Sequence, residues 1–269
     1  MKNEFERAIE RAYASKLRVE HRGGKAVILK SVAAQERKNE LAFHTLLAEL
    51  GMPNMQVAEE GNDLVVDFIA DAETLGDEET PERYEQLGRS LRILHFREYP
   101  NPFIVERDGT RRELDWNTFL NQQVQYGIAR QKEREGLGQD LIKRIVAVIS
   151  VGAKPERITP IHGDLHANNV LLKNDNLYLF DKADNIFSGD PLYDLALFGI
   201  TLPGIYGVGS EVVHDQRLAQ ALIAGYGSDF LSDRDTFDRY VLLRAIERWP
   251  NPFEKEIPEL VQVILGRFK

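Results

Sequence analysis

The segment from Thr159 to Ala196 holds the side chains best suited to chemistry. Asp164 and Asn169 stand five positions apart in HGDLHANN, a loop of small and polar residues, and Asp181 follows an apolar run that ends at Phe180. Between them, Val170–Leu172 and Leu177–Phe180 flank the polar stretch Lys173–Asn176, the pattern of a β-hairpin with a four-residue connection. A hairpin returns the chain to its start, so Asp181 is expected beside Asn169. A carboxylate and an amide oxygen brought together suit a hard divalent cation such as Mg²⁺, which takes oxygen ligands and keeps some waters. Asp164, one loop away, is placed to accept a proton from a hydroxyl. A base beside a metal-holding Asn/Asp pair is equipped for phosphoryl transfer.

The combination HGDLHANN, FDKAD and GDPLYDLA resembles the aminoglycoside phosphotransferase and choline-kinase-like small-molecule kinases. The resemblance implies an α+β, bilobal protein-kinase-like fold. A small β-sheet N-lobe with one key helix would be joined to a mostly helical C-lobe, with ATP or GTP and Mg²⁺ between them. It makes Asp164 the catalytic residue and Asn169 and Asp181 the metal ligands. Asp194, in GDPLYDLA, becomes a structural acid bracing the catalytic loop through His162 or its backbone.

The elements that must position these groups can be read upstream. Asn3–Ala14 has the spacing of a short amphipathic helix. Leu17–His21 and Lys25–Val32 read as strands about the turn signal Arg22–Gly23–Gly24. The second strand ends its apolar run on Lys30, an edge residue by itself but a phosphate-binding lysine in a kinase-like lobe. Ala33–Gly51 is helical, closed by Gly51 and Pro53. In the family a glutamate from this helix orients the lysine. Glu40 keeps the family's spacing to the terminating proline, and Glu36 is the fallback. Gln56–Glu60 and Leu64–Ile69 form a second hairpin, and resemblance gives the backbone of Asp67, Phe68 and Ile69 to the nucleotide base. No GxGxxG precedes Leu17; Ser15 and its neighbouring N–H groups are the candidate phosphate contacts there. The small, acidic residues 70–80 mark a linker, giving an N-terminal nucleotide-binding lobe over 1–69 and a catalytic and substrate-binding lobe over 81–269.

The large-lobe pattern is helical over Glu82–Phe96, Arg112–Glu133, Leu137–Val151, Glu211–Tyr226, Arg234–Arg248 and Glu256–Phe268. His95 reads as a packed or hydrogen-bonded helix residue. Asp190 can cap a helix that has Pro191 at its first position, and TLPGIYGVGS reads as a mobile loop. Lys182 is expected to point away from Asp181. Asp190, Glu211 and Asp215 are candidate acceptor contacts, since aminoglycoside kinases line their pocket with carboxylates.

Composition narrows the alternatives. The chain has 269 residues, 43% hydrophobic and 29% charged, an ordinary folded composition. It has no cysteine, which excludes disulfides and thiolate metal sites. The charged N-terminus lacks the apolar core of a signal peptide, and no apolar run approaches the roughly 18 residues of a membrane span. These features predict a cytoplasmic protein with no membrane partner and no evident obligatory protein partner. The net charge of −9 argues against nucleic-acid binding and fits a cationic small-molecule hydroxyl acceptor. Choline, homoserine, methylthioribose, macrolide or sugar kinases, a noncatalytic nucleotide-binding regulator and a protein kinase are the competing readings.

Overall fold

A computed structural model describes residues 17–133, 136–182, 186–209, 211–227, 233–249 and 256–268. The expected helix at Asn3–Ala14 and the phosphate-contact candidate Ser15 lie outside the described residues. In chain order the elements are β1 (Leu17–Arg22), β2 (Lys25–Ser31), α1 (Ala34–Glu49), β3 (Val57–Glu60), β4 (Asp63–Asp67), β5 (Glu73–Thr74) and α2 (Pro81–Leu94). Then come β6 (Phe103–Val105), β7 (Arg111–Glu113), α3 (Trp116–Glu133), α4 (Gln139–Ile149), β8 (Thr159–Pro160), β9 (Val170–Lys173) and β10 (Asn176–Leu179). The chain continues with β11 (Ser188–Gly189), α5 (Pro191–Thr201), α6 (Val212–Tyr226), α7 (Arg234–Arg248) and α8 (Ile257–Leu265).

The chain divides into two compact units. The first takes the residues up to Glu78 together with Phe103–Arg112 and His162–Phe187, and the second takes Glu79–Pro102, Glu113–Ile161 and the residues from Ser188 onward. In the first unit an antiparallel sheet has the order β1-β2-β4-β3. Its first turn is Gly23–Gly24, with Arg22 opposite Lys25 and both glycines at positive φ (56° and 83°), the conformation a two-residue hairpin needs.

A second sheet, β10-β9-β5, carries the hairpin expected between Val170 and Phe180. Its connection is shorter than the four residues expected. Lys173 pairs with Asn176, leaving only Asn174 and Asp175 in the turn, at φ 48° and 61°. Asn and Asp tolerate this left-handed region better than other side-chain-bearing residues, so a two-residue turn closes without glycine. The segment 70–80, expected only to link, contributes β5. Glu73 and Thr74 pair with Leu172 and Leu171, and the Leu75 N–H donates to the Val170 carbonyl at 2.8 Å. Gly76 follows where any side chain would collide with Asn168 Oδ1.

One apolar core joins the two sheets of this unit. Met55, Leu64, Val66, Ala72 and Leu171 are buried together, with Ile28, Val57, Tyr178 and Phe180 packed against them. The hairpin is thus seated on the face that carries Lys30's strand.

The second unit is mostly helical. Its core is the buried face of α5, where every residue from Pro191 to Ile200 is buried, and of α7. Trp116, Phe119, Tyr193 and Tyr240 form an edge-to-face and stacked aromatic cluster. The backbones of α2 and α6 approach so closely that a side chain at Gly88 or Gly225 would strike the opposing helix backbone. The expected mobile loop TLPGIYGVGS is partly ordered: Pro203–Tyr206 is a 3₁₀ turn and Val208 is buried. The helix expected from Arg112 starts at Trp116, because Arg111–Glu113 is extended.

Candidate active site

Strand β2 brings Lys30 to the site. Alternation along the strand buries Val27 and Leu29, and then Lys30 is buried too, at 8% exposure. A buried ammonium requires partners, and it has two. Nζ donates to Glu40 Oε2 at 2.6 Å and to Asp181 Oδ1 at 2.7 Å. Burial alone would lower the Lys30 pKa, but the Glu40 and Asp181 carboxylates outweigh it and hold the ammonium above its ordinary value. The residue therefore remains charged.

Helix α1 supplies Glu40, and its inward face explains why the helix does not read as simply amphipathic. Arg37, Asn39, Glu40 and His44 are buried alongside Phe43, Leu46 and Leu47. Arg37 donates to the carbonyls of Val32 and Asn62 at 2.7 and 2.8 Å, tying the helix to the sheet. Asn39 donates to the Ile186 carbonyl at 3.1 Å. Glu36, the fallback partner of Lys30, instead accepts the Ala33 N–H at the start of the helix. His44, 2% exposed, has no hydrogen-bond partner at either ring nitrogen among the described residues. Burial first, with the neighbouring His162 and Lys30 adding to it, pushes its pKa down to about 4, so it is neutral.

The catalytic-loop candidates are held by hydrogen bonds within the same unit. Nε2 of His162 donates to the Phe180 carbonyl at 2.7 Å, and Nδ1 accepts the Asp164 N–H at 3.4 Å. The imidazole thereby ties the start of the loop to the residue before Asp181. Asn169 donates its side-chain amide to the Asp164 carbonyl at 2.9 Å, and the Phe180 N–H donates to the Asn169 carbonyl at 3.2 Å. With its nitrogen so engaged, the Asn169 amide turns its oxygen the other way, where Oδ1 is buried without a partner among the described residues. Asp181 follows at φ 55°, a left-handed conformation that turns its carboxylate onto Lys30.

An orphaned buried amide oxygen near a carboxylate is a donor set suited to a hard cation with two protein ligands and several waters. No cluster of three or more His, Cys, Asp or Glu capable of holding a metal exists among the described residues. The Asp164 side chain is 42% exposed, so its carboxylate is accessible, and Oδ2 lies 3.8 Å from His166 Nε2. Sequence reasoning did not single out His166. Its position two residues after Asp164 in a non-helical loop was the available signal. Lys182 turns away from Asp181, donating to the Ile186 carbonyl and lying 5.7 Å over the Phe43 ring.

Of the base-contact candidates, Asp67 and Phe68 already use their N–H groups, on the carbonyls of Gln56 and Ala26. The Ile69 carbonyl accepts the Ala72 N–H at 3.3 Å.

The remaining candidates lie in the second unit. Asp194 is fully buried, 3.3 Å from His95 Nε2, while His95 Nδ1 meets the Tyr226 hydroxyl at 2.9 Å. His95, read from sequence as a packed or hydrogen-bonded helix residue, is hydrogen-bonded to this acid. Asp190 caps α5 by accepting the Leu192 N–H at 3.0 Å, and it also accepts from the Tyr240 hydroxyl at 2.9 Å. It lines a cavity of about 380 Å³ with Phe96, Glu156, Leu192, Tyr226 and Asp233. Burial raises its pKa, the two hydrogen bonds oppose the rise, and Asp233 and Glu156 add to it, leaving it at about 6. Asp215 accepts the Gly204 N–H at 2.8 Å and so holds the 3₁₀ turn. Glu211 is exposed at the start of α6 and makes no capping hydrogen bond.

The profile of the phosphotransferase enzyme family, APH, matches residues 7–240. The chain belongs to this family. It is a small-molecule phosphotransferase with the family's kinase-like α+β fold. No curated protein matches it by sequence. Among solved structures, a thermostable mutant of aminoglycoside phosphotransferase APH(4)-Ia superposes with a TM-score of 0.66 at 14% identity, covering 98% of this chain and 99% of that one. Spectinomycin phosphotransferase APH(9)-Ia, in complex with ADP and spectinomycin, gives 0.60 at 15% identity, covering 95% and 86%. Choline kinase LicA from Streptococcus pneumoniae gives 0.58 at 15% identity, covering 99% and 92%. Phosphotransferases with unlike acceptors therefore share this fold. No helix among the described residues is long and apolar enough to cross a membrane.

Proposed function

We propose that the chain transfers the γ-phosphate of ATP or GTP, with Mg²⁺, to a hydroxyl of a small molecule, with aminoglycoside-type acceptors the first class to test. The observation that carries this reading is Lys30 bridging Glu40 and Asp181 at 2.6 and 2.7 Å. That bridge lies in the same compact unit as Asp164 and Asn169. Lys30, fixed by Glu40, neutralises phosphate charge. Asn169 and Asp181 hold the metal, whose charge offsets that on the phosphate oxygens. Asp164 orients the acceptor hydroxyl and accepts its proton. His162 keeps the loop and the Asp181 strand in register. Asp194, paired with His95, stays a bracing acid. The backbone of Asp67, Phe68 and Ile69 carries the nucleotide base, with the Asp67 and Phe68 N–H groups already hydrogen-bonded to the Gln56 and Ala26 carbonyls. An aminoglycoside acceptor is supported by the net charge of −9 and by relatives that phosphorylate such antibiotics; an antibiotic-resistance role follows from it.

The test is a phosphate-transfer screen with Mg²⁺ and either ATP or GTP against aminoglycosides, macrolides, amino alcohols and sugars. Acceptor-dependent ADP or GDP release with a phosphorylated product is the expected outcome. Nucleotide binding without transfer to any of these classes would instead favour a noncatalytic regulator.

A further inference from the structure

Lys30 and a divalent metal draw on the same carboxylate. We infer, on the nucleotide-and-metal reading above, that Lys30 controls metal binding by exchange: its ammonium holds Asp181 until nucleotide phosphates draw it off.

The argument rests on how unequal the two partners of Lys30 are. Glu40 is deep, its side chain 4% exposed, and it lies on the helix that Arg37 and Asn39 anchor. The Asp181 side chain is 30% exposed, on a residue in the left-handed region just past the end of β10. Glu40 is thus the permanent partner and Asp181 the exchangeable one. A divalent cation binds carboxylate oxygen at roughly 2.0–2.6 Å, and the Asp181 Oδ1 atom is already 2.7 Å from an ammonium. Two cations sharing one carboxylate repel each other in a half-buried site, where screening is weak. The second ligand behaves differently. Asn169 Oδ1 is oriented by the amide's bond to the Asp164 carbonyl and has no hydrogen-bond partner among the described residues. Metal affinity therefore turns on whether Lys30 has another anion to hold. Phosphate oxygens supply one, and Lys30 can accept it while keeping Glu40.

Mn²⁺ titrations followed by electron paramagnetic resonance test this without turnover. The folded wild-type protein is expected to bind Mn²⁺ alone weakly and to hold it as a ternary complex once a non-hydrolysable nucleotide is added. Lys30→Met is expected to bind Mn²⁺ alone at least about tenfold more tightly than wild type, and Lys30→Arg, which keeps the cation, is expected not to. Adding Asp181→Asn to Lys30→Met should abolish the gain and so locate it. Should Lys30→Met fail to fold by circular dichroism, Lys30→Gln, whose amide retains a hydrogen bond to Glu40, carries the same comparison. Equal affinity of wild type and the neutral variant for Mn²⁺ alone, with the ternary complex intact in wild type, overturns the exchange but leaves the phosphotransferase reading standing. Absence of any nucleotide-dependent Mn²⁺ binding in wild type overturns both.

Discussion

At Asp164 accessibility and fixity coincide. The carboxylate is 42% exposed, while its backbone is held through His162 and Asn169. Such a group can act on a substrate proton without supporting the fold. Asp164→Ala is therefore expected to leave a folded, nucleotide-binding protein with kcat reduced by about 10²–10⁴-fold, the usual contribution of general-base assistance; steady-state kinetics and nucleotide titration check both halves. Glu40 is the opposite case, with its charge sealed against Lys30. Removing one partner of a buried pair costs about 3–5 kcal/mol. Glu40→Gln should fall at the lower end because Asp181 still holds Lys30, and urea unfolding measures it. Asp164 stands out in the sequence within HGDLHANN, whereas Glu40 lies outside that motif. The choice of Glu40 over Glu36 was legible only through spacing, and the reason for it is geometric. Glu36 lies one turn earlier and is used at the helix start.

Among the elements, the hairpin of β9 and β10 and helix α1 were readable and their details were not. Apolar runs around KNDN signal a hairpin, but the turn length depends on which residues enter left-handed φ, a choice set by pairing rather than composition. The strand at Glu73–Thr74 could not be read because it is only two residues long and lies in a segment rich in Asp and Glu; it exists because β9 offers it an edge. Helix α5 shows how an element end creates a titrating group. Asp190 caps it from a buried position where its pKa rises from 3.8 to about 6. The folded state then binds the proton more tightly than the unfolded chain. This contribution to stability is full below about pH 3.8 and is lost as pH rises through about 6, on the order of a few kcal/mol in all. Asp190→Asn keeps a capping oxygen and removes the titration. The stability difference between wild type and variant should therefore shift in the variant's favour between pH 4 and pH 7, read from urea unfolding across that range.

At the scale of the whole molecule, charge is the property that reaches beyond contacts. A net charge of −9 raises the local concentration of cationic ligands and is screened by salt. For a cationic acceptor, KM is expected to rise severalfold between about 50 and 300 mM KCl; a neutral acceptor should show no such rise, and initial-rate kinetics distinguish them. The sequence by itself determined the class of chemistry and the mixed α+β architecture, because HGDLHANN, FDKAD and GDPLYDLA set the candidate site residues at short chain separations and hydrophobic periodicity fixes local elements. Only the tertiary structure decided which groups meet over long ones. Lys30 reaches Asp181 across 151 positions and His95 reaches Asp194 across 99. The Asn169 oxygen is left without a partner among the described residues in a buried site. The physical reason is that a salt bridge or an orphaned acceptor depends on how the core of Leu64, Val66 and Leu171 seats the hairpin against the sheet, and residue spacing along the chain does not encode that packing.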